Sequence, residues 1–244
     1  MPRNDKMGEW TERAELLFKA EGLNKLRNAN VLVVGLGGVG SFAAEFLARA
    51  GVGKMTIVDG DIVDITNINR QLPALHSTVG EPKVTIVGDR LMDINPGLKL
   101  TRIKEFLSPE RAFEIVSEEY DYVLDCIDSI TPKLNLIIGA KRKRVKIISS
   151  MGAGGKMEAS KVHVSCITKA TNCMLAKTIR KRLKGEKIDK LKVVSSSEIQ
   201  DQSSLKMTDG SNFKKSFYGT NSYMPGLFAL YAAETVIRYL LKKV

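Results

Sequence analysis

The residues best suited to chemistry lie between positions 31 and 71. An apolar β-branched run at 31–34 leads into a glycine-rich turn, a helical pattern at 41–50, and a second apolar run at 55–58 that ends at Asp59. This order is typical of a nucleotide-binding βαβ unit. The glycines let phosphate approach the backbone, the helix start offers it N–H groups, and Asp59 can accept hydrogen bonds from a ribose. The turn glycines are Gly35, Gly37, Gly38 and Gly40.

The residues after Asp59 separate two kinds of nucleotide site. The glycines alone fit an NAD-binding fingerprint, as in a dehydrogenase. A hydride-transfer site, however, has no use for an arginine and several amides beyond the ribose acid. A triphosphate site does, because guanidinium binds phosphate oxygens in a bidentate manner and asparagine can orient the phosphate chain or its metal shell. Turn formation is the alternative role for the asparagines. The candidates are Asp61, Asn67, Asn69, Arg70 and Gln71.

Two further motifs extend the pattern, VGEPK at 79–83 and LDCID at 124–128. With GLGGVGS at 35–41 and DGDIVDITNINRQ at 59–71, they resemble the ubiquitin-activating-enzyme-like (ThiF/MoeB-type) adenylating superfamily. RAELL at 13–17 also looks like that family's leading arginine segment. The resemblance implies an enzyme that binds ATP and Mg²⁺, joins a carboxylate to the α-phosphate and expels pyrophosphate.

The resemblance also implies roles for single residues. Arg70 and its neighbouring amides are expected on the phosphate side, and Lys83 is expected to reach the phosphates from the start of a helix. Asp128 corresponds to the family's metal-binding acid. From the residues alone, Lys83 could be a surface lysine and Asp128 a helix cap. In relatives the leading arginine comes from the neighbouring subunit, so Arg13 implies a homodimer.

The cysteine content bears on the subfamily. Enzymes of this superfamily that activate sulfur-carrier proteins usually bind a structural zinc through two Cys-x-x-Cys pairs, and three cysteines cannot supply four thiolates. We therefore expect no zinc. Many relatives carry a catalytic cysteine after the sheet, where Cys166 and Cys173 lie. Small, buried apolar residues are the alternative interpretation of both.

A second resemblance rests on four stretches after position 149: MGAGGK at 151–156, Lys169, RKRLK at 180–184 and VVSSSE at 193–198. They are similar to the tRNA threonylcarbamoyladenosine dehydratases. Those enzymes activate the threonyl carboxylate of a modified adenosine in tRNA, and a nucleophile in the same side chain then closes a ring. Cys166 and Cys173 stand where that branch usually has acids, so the details of this region, including any ion held there, are expected to differ.

Charge is distributed unevenly along the chain. The net charge is +11, and between positions 141 and 192 sixteen Lys or Arg against three Asp or Glu give +13. A patch of one sign attracts polyanions, which favours a nucleic acid as partner, and the resemblance implies that this is tRNA. A solvated helix face is the alternative. The candidate nucleic-acid contacts are Lys169, Arg180, Arg182 and Lys184.

Alternating strands and helices predict an α/β fold: a doubly wound, mostly parallel sheet in a Rossmann-like domain with a looser C-terminal extension. Residues 1–155 would form the ATP-binding adenylation core with an N-terminal helix, and 156–244 a crossover, basic helix and closing helix of the same domain. Asn172 is predicted to cap the basic helix, and 195–216 to be mobile in part. The other predicted helices are 9–26, 82–92, 108–116, 132–141, 173–183 and 227–241. The later strands are 98–103, 122–125, 145–149, 162–167 and 192–195.

The leading functional hypothesis is ATP-dependent cyclisation of N6-threonylcarbamoyladenosine in tRNA through a carboxyl-adenylate. Two alternatives are adenylation of the C-terminal glycine of a ubiquitin-like sulfur carrier and a non-catalytic, nucleotide-dependent scaffold. A sulfur-relay protein is a further candidate partner. The polar start at 1–6 lacks a signal peptide, and the apolar stretch 224–241 contains Glu234 and Arg238. We therefore expect a cytoplasmic protein without a membrane span.

Overall fold

The computed structural model describes residues 9–208 and 216–242. Seven strands form the main sheet: β1 Asn30–Val34, β2 Lys54–Val58, β3 Lys99–Ile103, β4 Tyr122–Asp125, β5 Ile147–Ser150, β6 Val162–Cys166 and β7 Lys192–Ser196. Their order is β3–β2–β1–β4–β5–β7–β6. All neighbouring pairs in this sheet are parallel except β6 with β7. The predicted α/β fold is confirmed.

Helices cover both faces of the sheet. In the described residues they are α1 Glu12–Asn28, α2 Gly40–Arg49, α3 Lys83–Ile94, α4 Pro109–Glu114, α5 Ile130–Arg142, α6 Met174–Gly185 and α7 Met224–Lys242. One core includes Leu47, Leu91 and Phe228, from α2, α3 and α7. The other includes Ile137 and Ile179, from α5 and α6. Two cores on opposite faces make the sheet doubly wound.

The strand order places a ligand crevice beside β1. Residues 31–34 of this strand are each at most 2% exposed, because parallel strands with helices on both faces are buried continuously. β2 lies on one side of β1 and β4 on the other, so the connections after β1 and β4 leave the sheet next to each other. Such a switch point, at the carboxyl ends of the strands, is where doubly wound sheets bind ligands.

The first helix differs from its prediction. The backbone bends at Lys19, where φ is 62°, so the two halves of α1 point in different directions. Leu23 and Leu26 are buried, but Leu16 and Leu17 are 71% and 75% exposed. The apolar stripe predicted along 9–26 therefore packs on the core through Phe18 and its second half, but not through Leu16 and Leu17.

Two helices begin earlier than predicted. α5 starts at Ile130, two residues before Pro132, and α7 starts at Met224, with Pro225 in its first turn. Proline is compatible with a first turn because the N–H it lacks has no partner there.

The C-terminal part supplies β6, β7, α6 and α7 to the layers already described. Two short strands, β8 Leu205–Met207 and β9 Ser216–Tyr218, form a separate antiparallel sheet. The stretch predicted to be mobile contains β8, but residues 209–215 of it lie outside the described residues, as does the polar start at 1–8. None of the helices in the described ranges combines the length and the apolar composition that a membrane span requires.

Candidate functional site

The glycine turn between β1 and α2 excludes side chains at two positions. Gly35 has a φ of 87°, and a Cβ there would lie 2.9 Å from the carbonyl oxygen of Cys126. A Cβ on Gly40 would lie 1.7 Å from the carbonyl oxygen of Gly35. The Gly35 N–H donates to the Val58 carbonyl at 2.8 Å. Glycine at both positions lets the turn pack against the ends of β2 and β4.

Asp59 follows β2 and holds the turn through both carboxylate oxygens. Its Oδ2 accepts the Leu36 N–H at 2.5 Å, and its Oδ1 accepts the Asp61 N–H at 2.7 Å. Burial raises the pKa of the Asp59 carboxyl, and the two backbone hydrogen bonds oppose that rise. Each oxygen has a second lone pair. Asp59 is therefore fixed in direction and can still accept a ribose hydroxyl.

A buried acceptor without a partner lies beside the turn. The Oε1 of Gln71 makes no hydrogen bond to any described residue. The Gln71 amide nitrogen lies 3.8 Å from the position that a Cβ would take on Gly37. An unsatisfied buried oxygen costs about 1–3 kcal/mol, which a donor from a ligand would remove. The turn therefore fits a molecule that carries hydroxyl or amino groups, as a nucleotide does.

Arg70 is half-buried and held in direction by two acceptors. Its Nη1 donates to the Thr66 carbonyl at 2.9 Å and to the Asn69 Oδ1 at 2.8 Å. The Asn69 side chain is fixed in turn, because its Nδ2 donates to the Thr220 carbonyl at 2.8 Å. Burial lowers the pKa of Arg70, and the nearby charge of Asp128 opposes that shift. The fold thus brings Arg70 and Asp128 together, and Nε and Nη2 carry further donors for phosphate oxygens.

Asn67 and Lys83 are both buried, at 8% and 4% exposure. Asn67 closes a turn, since its Oδ1 accepts the Asp64 N–H at 3.3 Å, which is the alternative role considered for it. Lys83 is not a surface lysine. Its Nζ pairs with the Asp61 Oδ2 at 3.0 Å, and its charge also acts on Asp59. A phosphate contact from Lys83 would therefore be shared with Asp61.

A fully buried ion pair under the site was missed by sequence reasoning. The Lys133 Nζ lies 2.7 Å from the Asp125 Oδ2, and neither side chain is exposed to solvent. The ammonium also donates to the Ser149 Oγ and the Ser150 carbonyl, at 3.0 and 2.9 Å. Burial raises the pKa of Asp125, and Lys133 opposes that rise. Asp125 also accepts the Ile127 N–H at 3.1 Å, so the pair fixes the loop that leads to Asp128.

Asp128 and Arg13 are both exposed. Ser129, not Asp128, is the N-cap residue of α5, so the alternative role of Asp128 as a cap is not supported.

Arg13 lies in the first half of α1, and the second half packs near Leu241 at the end of α7. The start of α7, at Pro225, is the end that contacts the glycine turn. This placement is compatible with a role for Arg13 in a second copy of the chain.

The basic helix α6 is capped by Cys173, so the predicted Asn172 cap is wrong. The Cys173 Sγ accepts the Ala176 N–H at 3.5 Å. Asn172 has a φ of 49°, and its Nδ2 donates instead to the Ser197 carbonyl at 2.6 Å. The left-handed backbone at Asn172 turns its side chain away from the helix start.

Arg180, predicted to bind nucleic acid, forms hydrogen bonds to backbone carbonyls of its own chain. Its Nη1 donates to the carbonyls of Ile167 and Ala170, at 3.0 and 2.9 Å, and so braces the turn after β6. The other predicted nucleic-acid contacts are exposed: Lys169, Arg182 and Lys184.

Lys156, in the glycine-rich connector, has a structural role that the sequence did not reveal. It is 2% exposed, and its Nζ donates to the carbonyls of Asn172, Ser196 and Glu198 at 3.1, 2.7 and 3.0 Å. Burial lowers the pKa of Lys156. The ammonium ties the connector to the start of α6 and the end of β7.

The three thiols differ in environment. Burial raises the pKa of Cys126, which lies against Gly40, to about 12, so this thiol stays protonated at neutral pH. Cys173 is buried as the α6 cap. Cys166 lies opposite Lys192 in the antiparallel β6–β7 strand pair, at the start of β7. This is the end of the sheet away from the glycine turn. Hydrogen bonds from Thr168 lower the pKa of Cys166.

We expect the double variant Cys166→Ser, Cys173→Ser to keep most of its turnover. A serine hydroxyl can replace the Cys173 cap, and neither thiol has an assigned task in the reaction. The measurement is pyrophosphate release beside a thermal unfolding curve. A hundredfold loss with normal unfolding would instead indicate a covalent thioester.

Comparison with known proteins identifies the family. The ThiF family profile matches residues 12–244. The chain is 38% identical over 240 residues to the tRNA threonylcarbamoyladenosine dehydratase of Bacillus subtilis (strain 168), covering 95% of this chain and 94% of that protein. The crystal structure of E. coli tRNA N6-threonylcarbamoyladenosine dehydratase in complex with ATP gives a TM-score of 0.85 at 31% identity, covering 96% of this chain and 95% of that one.

A third relative shares a shorter part. The molybdopterin-synthase adenylyltransferase of Escherichia coli (strain K12) is 38% identical over 141 residues, covering 58% of this chain and 55% of that protein. The glycine turn, Asp59 and Arg70 thus lie in a chain that matches the family profile over nearly its whole length. The protein belongs to the ThiF family.

Proposed function

We propose that the protein activates the threonyl carboxylate of N6-threonylcarbamoyladenosine in tRNA as an adenylate and closes it to a ring with net loss of water. The observation that carries the nucleotide part of this proposal is the glycine turn, with Asp59, Arg70 and the unpartnered Gln71 oxygen beside it. A donor on ATP would satisfy that oxygen, at the crevice where such sheets bind nucleotides. The likeness of the whole chain to dehydratases, one of them bound to ATP, supports both nucleotide and substrate.

The reaction has two steps. A carboxylate oxygen attacks the α-phosphorus of ATP, and the bond to the bridging oxygen breaks to release pyrophosphate. A nucleophile in the same side chain then attacks the acyl carbon, loses its proton and displaces AMP. Arg70 would bind phosphate oxygens where charge develops, and Asp59 would hold the ribose. The second step needs no enzyme nucleophile, because its nucleophile is tethered to the acyl group.

Asp128 is the residue that we propose to hold Mg²⁺ with the nucleotide. It is an exposed carboxylate near Arg70, and Mg²⁺ prefers carboxylate and phosphate oxygens as ligands. When bound, the ion would neutralise part of the phosphate charge. The described residues offer no cluster of His, Cys, Asp and Glu that would hold a metal without a substrate.

We expect Asp128→Asn to slow adenylate formation and to recover partly at raised Mg²⁺, because an amide oxygen is a weaker ligand than a carboxylate. Pyrophosphate release is measured across a Mg²⁺ titration, with Asp189→Asn, an exposed carboxylate near Cys166, as the control. A loss of activity that is equal at every Mg²⁺ concentration would assign Asp128 a role without metal.

The finer partner assignments are also proposals. The exposed cations of α6 and Lys169 would contact tRNA phosphates, with Arg180 left to its internal role. A second copy of the chain would cover the exposed Leu16 and Leu17 and receive Arg13. Residues 1–155 would form the adenylation core, and 156–244 the crossover, basic helix and closing helix of the same domain. Among the described residues, no surface is assigned to a sulfur-relay partner.

The test of the proposed function is ATP–pyrophosphate exchange with three additions. We expect exchange with tRNA that carries N6-threonylcarbamoyladenosine and none with the same tRNA lacking the modification. The third addition is a ubiquitin-like sulfur-carrier protein with a free C-terminal glycine. Exchange with the carrier alone would overturn the proposal in favour of the sulfur-carrier alternative. Exchange with none of the three, from folded protein that binds ATP, would favour the scaffold.

A further inference from the structure

Five cations surround a cavity at the end of the sheet where the parallel strands begin. The glycine turn lies at the other end, where these strands finish. The cavity has a volume of about 940 Å³ and lies at the starts of β4, β5 and β7, with Tyr122, Cys166 and Tyr239 in its walls. We call its charged lining the basic cleft, which consists of Lys141, Arg144, Lys146, Lys190 and Lys192.

The basic cleft carries a local excess of positive charge in the described part of the chain. None of the five side chains forms an ion pair there, and no described Asp or Glu lines the cavity. Glu118 and Asp121 line an adjoining cavity together with Arg144 and Lys146, so the nearest acids lie on one side of the cleft. Burial lowers the pKa of Lys141, and the charge of Lys146 lowers it further. The fold therefore holds like charges together, and a bound anion would relieve their repulsion.

Other cations of the same segment have internal partners. The Lys143 Nζ donates to the Val116 carbonyl at 2.6 Å, and Arg142 pairs with Glu186 at 2.8 Å. Arg142 and Lys143, at the end of α5, thus contact neighbouring elements, whereas Lys141 and Arg144 line the cavity.

Helix capping does not account for the cluster. Lys141 lies in the last turn of α5, where the helix dipole favours a cation. The four others lie outside the helices, at the starts of β5 and β7 or in the turns before them. Three of these, Lys146, Lys190 and Lys192, are exposed lysines at or just before the starts of two neighbouring strands.

We infer that the basic cleft binds the sugar–phosphate backbone of the tRNA at a point away from the modified nucleoside, an inference that rests on the proposed function. The strands that separate the glycine turn from the basic cleft have four or five residues, a length of about 13–17 Å at 3.3 Å per residue. A mononucleotide at the glycine turn therefore does not reach the cleft, whereas a long polyanion does. Cations contributed by several chain segments along an open cavity match a series of phosphates.

The test replaces three exposed lysines of the cleft together: Lys146→Gln, Lys190→Gln and Lys192→Gln. The control carries Arg27→Gln, Lys54→Gln and Lys99→Gln. These substitutions remove the same charge from exposed positions elsewhere at the same end of the sheet. We expect the cleft variant to bind tRNA on the order of tenfold more weakly, with a salt slope shallower by roughly two to three units. The control should match the wild type, and both variants should bind ATP as the wild type does.

Two measurements distinguish a failure of this inference from a failure of the proposed function. A stem-loop that carries the modified nucleoside but is too short to span the sheet should bind the wild type and the cleft variant equally. If the wild type converts modified tRNA while the cleft variant binds full-length tRNA with wild-type affinity and salt slope, the inference alone is wrong. If the wild type converts no modified tRNA, the proposed function is wrong.

Discussion

Replacing Arg70 by alanine is expected to slow adenylate formation by roughly thirtyfold to a thousandfold while the protein stays folded. This corresponds to about 2–4 kcal/mol of transition-state stabilisation, the usual cost of losing one donor at a centre where charge develops. Arg70 is held by Thr66 and Asn69 through a single nitrogen. The remaining donors can form bidentate contacts that alanine cannot replace.

The measurement is the rate of pyrophosphate release at saturating ATP, beside an unfolding curve. Arg70→Lys should recover only part of the rate, because lysine keeps the charge but not the planar fork of donors. Arg238→Ala, which removes an exposed arginine paired with Glu234 on α7, is the control and should release pyrophosphate normally. Release by Arg70→Ala at the control's rate would contradict the phosphate role.

Lys133→Ala is expected to lower the free energy of unfolding by about 3–5 kcal/mol. The substitution leaves the Asp125 carboxylate fully buried without its 2.7 Å partner and removes a donor from Ser149 and Ser150. Urea unfolding at neutral pH measures the loss. In a double variant, Lys133→Met with Asp125→Leu, neither charge remains buried, so much of the stability should return.

The loss in Lys133→Ala should depend on pH. Without the ammonium, the pKa of Asp125 in the folded state rises further above its value in the unfolded chain. The folded state then binds more protons than the unfolded state between the two pKa values, so stability falls as pH rises. The deficit should therefore be larger at about pH 8 than at about pH 5. A single variant as stable as the wild type at both pH values would show that the pair has no net role.

The local part of the fold follows from the sequence because its causes are local. Gly35 and Gly40 are fixed by contacts within one βαβ unit, and the apolar run at 31–34 signals a strand buried on both faces. The bend at Lys19 is a counterexample, since an ordinary helical pattern continues through it. Nothing in the local sequence marks the change of direction that exposes Leu16 and Leu17.

The rest of the site depends on contacts between distant segments. The approach of Asp128 to Arg70 and the internal use of Arg180 need the assembled sheet. Lys133 did leave a signal, because it lies three, four and seven residues before the buried Leu136, Ile137 and Ala140 on one face of α5. A lysine on an apolar helix face that follows an acid at a strand end indicates a buried pair.

The most direct test of the central claim incubates purified protein with ATP, Mg²⁺ and tRNA that carries N6-threonylcarbamoyladenosine. Mass spectrometry follows the modified nucleoside while AMP and pyrophosphate are quantified in the same reaction. The proposed function predicts that each modified nucleoside loses one water as one AMP and one pyrophosphate are formed, and that Arg70→Ala blocks all three changes together. An unchanged nucleoside in the presence of folded, ATP-bound wild-type protein would contradict it.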